Sequence, residues 1–443
     1  MANRTWWQGR TATLSWLVAL VAGLLVAAAF PAAASTGSKT PAIGVAPHYR
    51  LAGTAEPGTP PTFSCQLTTP AGCFGPAQIR AAYGVDKVNA NGAGKTIVIV
   101  DAFQSPTIQH DLDLFDSVFE LPAATVNIVA PDGLTPFDQA DANQVGWAGE
   151  ITLDVEWSHA IAPAATIKLV LAKSNDDADI LSATKFAVDH NLGDVISQSF
   201  GEAEQCVDPK IAKRQHQMFE KATKRGITLL ASSGDQGAAL PTCDGSSFFK
   251  AASSPATDPL VTAVGGTLLD ANGLTGAYNS ETTWNEPQFE AATGGGFSVD
   301  FPTPAFQKRL GLPSRGVPDV AYNAGILTGV LAVWSTSGQG ANLVFRFGGT
   351  SAGSPQWAGL VALAGQLRHA RVGYLNPQLY ALASVGPLYS ALFHDITTGD
   401  NTFHGQGTDP TIPGFAATTG WDAATGLGTP KADALVPTLG GRL

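Results

Sequence analysis

The sequence predicts an α/β fold, with a central, mostly parallel β-sheet and helices on both faces. Two observations carry this. Thr96-Ile97-Val98-Ile99-Val100-Asp101 is an almost unbroken β-branched run, the pattern of a strand buried on both faces. Strand-like runs then alternate with helical patterns, the order that gives parallel strands joined by crossover helices. Further strands are expected near 126–129, 167–171, 195–200, 227–232 and 260–264. Helices are expected near 107–119, 148–160, 178–190 and 209–225. An earlier helix opens on Pro76 and stops at Gly84. Residues 270–345 are less regular, with a glycine run and several proline turns. Another helix starts near Pro377. In sheets of this kind ligands gather at the carboxyl ends of the strands.

With 443 residues, 44% hydrophobic and 14% charged, the chain can bury a large core. Its net charge of −11 and its lack of long basic runs exclude nucleic acid as a partner. An acidic surface of this kind loses self-repulsion in acid, where its carboxylates protonate. At the N-terminus, Arg4 and Arg10 precede an apolar stretch from about 14 to 30. It ends in Pro31-Ala32-Ala33-Ala34-Ser35. This predicts a signal peptide over 1–34, cleaved after Ala34. No later stretch is long and apolar enough to span a bilayer. The protein is expected to be secreted and extracellular, with no stable membrane association after signal removal. Residues 35–74, rich in Pro, Gly, Thr and Ser, read as a short linker or loosely packed arm. Residues 75–443 show no repeat and no composition break, so they form one domain, expected to be a monomer. Cys65, Cys73, Cys206 and Cys243 imply two disulfides in an exported chain. Three connectivities are open, and chain order favours Cys65–Cys73 with Cys206–Cys243. No C-x-x-C pair suggests zinc.

The chemistry centres on Phe347-Gly348-Gly349-Thr350-Ser351-Ala352-Gly353-Ser354-Pro355. Pro355 opens an apolar run that reads as a buried helix, since proline suits a helix's first turn. Ser351 then lies on a tight turn at a helix N-terminus, where free N–H groups favour developing negative charge. A serine nucleophile needs a base, an orienting group and donors for the oxyanion. None of the eight histidines stands in a small-residue context at a helix start. His159 and His216 fall inside helical patterns, and His394 precedes a carboxylate loop. Carboxylates offer a better base. Glu150 and Asp154 are four apart on a predicted helix and share a face. Their neighbours Trp147, Ile151, Leu153, Val155 and Trp157 are apolar, so the pair should be buried and share a proton at moderate acidity. Asp235 follows the apolar run 227–232 in a glycine-flanked turn, at the end of a strand. A protonated carboxyl there could donate to an oxyanion.

These motifs resemble a known family. Gly349-Thr350-Ser351 with Pro355 resembles the nucleophile turn of the subtilisin fold. However, Asp101 is followed by Ala102-Phe103 rather than Thr-Gly or Ser-Gly, and Asp235 stands where an asparagine would be. The combination of Gly149-Glu150 with Asp154, Ser233-Gly234-Asp235 and Gly349-Thr350-Ser351-Ala352 is similar to the sedolisins, the serine-carboxyl peptidases. The similarity covers about 75–443. It takes in 76–85, Ser253 to Ala256, Val264 to Thr267, Gly294 to Ser298, and Pro318-Asp319-Val320.

The resemblance implies a subtilisin-like three-layer fold and an acid-active peptidase hydrolysing polypeptides. Ser351 would be the nucleophile, Glu150 the general base and acid, Asp154 its orienter, and Asp235 the protonated oxyanion donor. It also implies one structural Ca²⁺, held by the side chains of Asp395 and Asp422 and the carbonyls of Ile396, Thr418 and Gly420. Substrate backbone would pair near Ser197, Ser199, Gly201 and Gly295 by strand addition. The family's long folded prosegment has no counterpart in the short 35–74 stretch. Some members add a glutamate after the first strand and a tryptophan after the Ser-x-Ser. Those places read as Ile108 and Phe200, so no extended carboxyl network is expected. Two rivals remain: a histidine-dependent subtilisin-like peptidase, and a non-catalytic secreted binding protein on the same fold.

Overall fold

The period of two in a strand builds the layers of this protein. In the strand Thr96–Ala102, Ile97 and Ile99 enter one core, and Val98 and Val100 enter another. The first core is closed by the helices Ile108–Phe119, Ala142–Ile161 and Gly353–Arg368. The second is closed by Asp177–Asp189 and Pro209–Lys224. The sheet therefore lies between two helical layers, as the sequence predicts. This computed structural model describes residues 44, 47–55 and 62–441, all within the unit Thr40–Leu443. The predicted signal segment 1–34 lies outside the described residues.

The central sheet runs Tyr278–Thr283, Thr262–Ala271, Thr228–Ser232, Val195–Gln198, Thr96–Ala102, Thr166–Ala172, Val126–Val129. Val320–Asn323 pairs in parallel beside Thr262–Ala271. Among the described residues of this sheet, only the pairing of Thr262–Ala271 with Tyr278–Thr283 is antiparallel. The irregular region 270–345 thus supplies sheet strands.

The helix Ala142–Ile161 starts earlier than the apolar pattern suggests. Asp141 caps it, accepting the Asn143 N–H. Nearly all of it is buried, because it is wedged between the sheet and the helix Gly353–Arg368. Gly359 makes that wedge possible, since a Cβ there would lie 2.6 Å from Ile161.

Part of the expected loose arm is ordered. His48–Thr54 forms a strand antiparallel to Leu343–Gly348, with His48 opposite Gly348. Tyr49 packs on Trp334, Phe345 and Phe347. Gly44 makes an isolated antiparallel bridge to Gly201. Disulfides join Cys65 to Cys73 and Cys206 to Cys243, the pairing that chain order favours. Among the described residues no helix is long and apolar enough to cross a membrane.

Candidate active site

The strand Leu343–Gly348 delivers the serine. At its end Gly349 turns with φ 112°, and a Cβ there would lie 2.6 Å from Asp235 Oδ2. Only glycine fits both the torsion and the approach. One 3-10 turn, Thr350–Ala352, then leads into the helix Gly353–Arg368. Ser351 sits on that turn and is 9% exposed. Its hydroxyl donates to the Ser199 carbonyl at 3.4 Å.

The facing helix brings Glu150 and Asp154 to the same place. Both are fully buried. The Ser351 hydroxyl lies close enough to Glu150 to favour its charged form, yet neither Glu150 oxygen has a well-aligned hydrogen-bond partner. Burial first, then Asp154, pushes the Glu150 carboxyl well up. Asp154 accepts the Ser199 hydroxyl at 2.9 Å, and its other oxygen is unpartnered. Burial and then Asp101 push it well up as well.

Asp235 is held from the Ser351 turn. Thr350 donates both its N–H and its hydroxyl to Asp235 Oδ1, each at 2.8 Å. An oxygen that accepts two donors is not the one that carries a proton. That leaves Oδ2, on the Gly349 side, as the atom able to hold one.

Asp101 was missed as a member of this group. It is fully buried at the end of its strand, both oxygens lack partners, and burial and then Glu150 push it well up. Ile108, which takes the place of the added glutamate, is the buried first residue of a helix. The carboxyl cluster extends instead through Asp101, and the signal was there: an acid closing an apolar strand. Phe200 packs against Trp147, with ring centroids 6.1 Å apart.

The other expected contacts separate. Ser197 is buried in mid-sheet, its backbone in register with Ile99 on one side and Leu230 on the other. Its hydroxyl bonds to that of Ser354 at 2.8 Å. It has no free edge to offer a peptide and instead seats the helix Gly353–Arg368. Ser199 serves Asp154 and Ser351, as above. Gly201 and Gly295 both require glycine. A Cβ would lie 2.1 Å from Ser253 Oγ at the first and 2.0 Å from the Ala423 carbonyl at the second.

The two loops assigned to calcium do meet. Gly420 N–H donates to both Asp395 oxygens at 3.1 Å, and the Tyr389 hydroxyl donates to Asp395 at 2.8 Å. Asp422 accepts the N–H groups of Thr418, Ala424 and Thr425. Both carboxylates bear on the Tyr389 hydroxyl and, behind burial, help to push its pKa up. Two converging carboxylates, with the carbonyls of Ile396, Thr418 and Gly420 on the same loops, are hard oxygen donors of the kind Ca²⁺ takes. Among the described residues no group of three or more His, Cys, Asp and Glu forms a metal cluster.

Residues 143–379 match the model of the subtilase family. The chain is 34% identical over 395 residues to kumamolisin of Bacillus sp. (strain MN-32), covering 87% of this chain and 66% of that protein. It is 32% identical over 343 residues to sedolisin of Pseudomonas sp. (strain 101), covering 73% and 54%. The chain thus spans between about half and two thirds of these relatives. The solved Pseudomonas sedolisin, complexed with two molecules of pseudo-iodotyrostatin, superposes with a TM-score of 0.70 at 28% identity. That match covers 83% of this chain and 97% of that one.

Proposed function

Because this chain belongs to the subtilase family, in its sedolisin branch, we propose that it is a secreted, acid-active serine-carboxyl peptidase that hydrolyses peptide bonds of proteins. The observation that carries this is the setting of Ser351. It lies between a buried carboxyl pair and Asp235, with unpartnered Glu150 oxygens beside its hydroxyl. Among the described residues no hydrogen bond joins a histidine to Ser351, Glu150 or Asp154. His159 is turned to Asp116 and the Pro122 carbonyl.

In this reading Glu150 takes the Ser351 proton as Oγ adds to the peptide carbonyl carbon. The carbonyl π pair moves to oxygen, which receives a hydrogen bond from the proton on Asp235 Oδ2. Glu150 then gives its proton to the leaving amine as the C–N bond breaks, and an acyl-enzyme remains. Water repeats the cycle with the same base and frees the acid product. Asp154 fixes Glu150 and shares its proton, so the pair titrates as a unit. Ser199 holds Asp154 from below.

Such a site needs acid. Asp235 must keep a proton to donate, while one proton must be absent from the Glu150–Asp154 pair. Ca²⁺ held by Asp395, Asp422, Ile396, Thr418 and Gly420 would clamp two loops and take no part in the chemistry. Gly201 and Gly295 would flank the substrate strand. The protein would act as a monomer on polypeptides, without nucleic acid or stable membrane association.

A pH–rate profile on a denatured protein tests the reading. Wild type should work best below pH ~5, the range set by carboxyl groups, and Ser351→Ala should be inert. An optimum above neutrality, or activity in Ser351→Ala, would refute it.

A further inference from the structure

A second carboxyl pair lies away from Ser351 and has no role in the mechanism above. Asp177 opens the helix Asp177–Asp189, and Glu202 begins the short strand that follows Gly201. The two meet carboxyl to carboxyl. They line a small, partly open pocket of about 20 Å³ together with Gln215 of the helix Pro209–Lys224 and Ser254, whose hydroxyl donates to Gln215 Oε1 at 3.4 Å. The remaining walls are largely apolar, Ile180 and Met218 among them. A space of this size holds one small particle, a water or an ion.

Asp177 is only 6% exposed; its carboxyl shares a hydrogen bond with Glu202, and its buried Oδ1 has no other partner. A helix N-terminus explains one acid in the first turn. It does not explain a second carboxyl pressed against the first. Nor does a nearby base. Besides each other, the charged groups acting on the pair are Asp176, on the same helix end, and Asp208, which caps the helix Pro209–Lys224. All are acidic. Burial and mutual repulsion push the Glu202 carboxyl up to about 8, as expected of a pair without a counter-charge.

We propose that Asp177 and Glu202, with the side-chain oxygens of Gln215 and Ser254, form a second cation site suited to a hard divalent ion such as Ca²⁺. Two negative charges match the ion, every side-chain donor is oxygen, and half-buried Glu202 leaves room for waters to complete the shell. The site is independent of the loop site at Asp395 and Asp422. Because Glu202 adjoins Gly201, an ion here ties that strand to two helices. Ser254 pairs with Glu202 across the strand, so the tie reaches the cis-Pro turn Ser254-Pro255 as well.

Calcium bound per chain, measured by equilibrium dialysis near neutral pH, tests this. Glu202→Gln and Asp177→Asn should each bind one ion fewer than wild type, and the calcium-induced rise in Tm should shrink in both. Asp422→Asn, with the cavity intact, should retain that ion even if one of the other variants fails to fold. The readout is a difference, so absence of calcium at the loop site lowers wild type and both cavity variants alike and leaves the test valid. Equal counts in wild type and the cavity variants overturn the proposal. So does a Glu202→Gln protein that gains Tm near neutral pH with its ion count unchanged, since the pair would then hold only a proton.

Discussion

Glu150 and Glu281 are both buried glutamates, and burial is the first cause pushing each carboxyl up. Their surroundings differ. Glu281 accepts hydroxyls from Tyr83 and Thr267, each at 2.6 Å, and from Thr429. It ties the strand Tyr278–Thr283 to three other parts of the chain. Glu150 has acidic neighbours, and its oxygens lack aligned partners. A buried carboxylate whose lone pairs are already used by donors serves structure. One whose lone pairs are left open, beside a serine hydroxyl, is available to take a proton. The distinction lies in unmade hydrogen bonds rather than in burial.

Four substitutions press on that contrast, in falling order of effect. Glu150→Gln should lower kcat/KM by about 10⁴-fold, the scale of losing a triad member, with Tm unchanged or raised because a buried, unpartnered acid becomes neutral. A loss of Tm instead would mean that Glu150 is structural after all. Asp235→Ala removes the proposed oxyanion donor and should cut kcat by about 10²–10³-fold with little change in KM. Glu281→Gln should do the reverse. It strands one of three hydroxyls and should cost about 1–3 kcal/mol in denaturant unfolding, while the folded fraction keeps its kcat/KM. Asp101→Asn removes a neighbouring carboxyl that helps push Asp154, the partner of Glu150, up. The acid limb of the kcat/KM profile should then move down by about one pH unit, the scale of a single close charge, and an unmoved limb would separate Asp101 from the site.

The parts of this protein carried by local chemistry were legible in its sequence. The β-branched run at 96–101 gave the buried strand, and the i, i+4 spacing put Glu150 and Asp154 on one face. The glycines around Ser351 and Asp235 marked the two turns, which the structure joins through Thr350. The rest depends on tertiary placement. Asp101 lies 49 residues before Glu150 in the sequence, and only the packing of the helix Ala142–Ile161 on the strand Thr96–Ala102 brings the two together. Ser197 reads as a peptide contact in sequence, because a strand read alone does not reveal whether it has neighbours on both sides. The strand His48–Thr54 was hidden by flanking Pro and Gly and gains its stability from Leu343–Gly348, almost three hundred residues on.

The crowding of acids along the buried helix Ala142–Ile161 has a calorimetric consequence. Asp101, Glu150, Asp154 and Glu156 all hold their protons more tightly when folded than in an open chain, where carboxyls titrate near 4. Over the interval between those two limits the native state binds more protons than the denatured one. Folding therefore takes up protons and unfolding sheds them into the buffer. The stability these groups give is whole at low pH and drains away as pH rises through their native titration. The heat of unfolding should accordingly change with the ionisation enthalpy of the buffer, and the slope of that dependence counts the protons released.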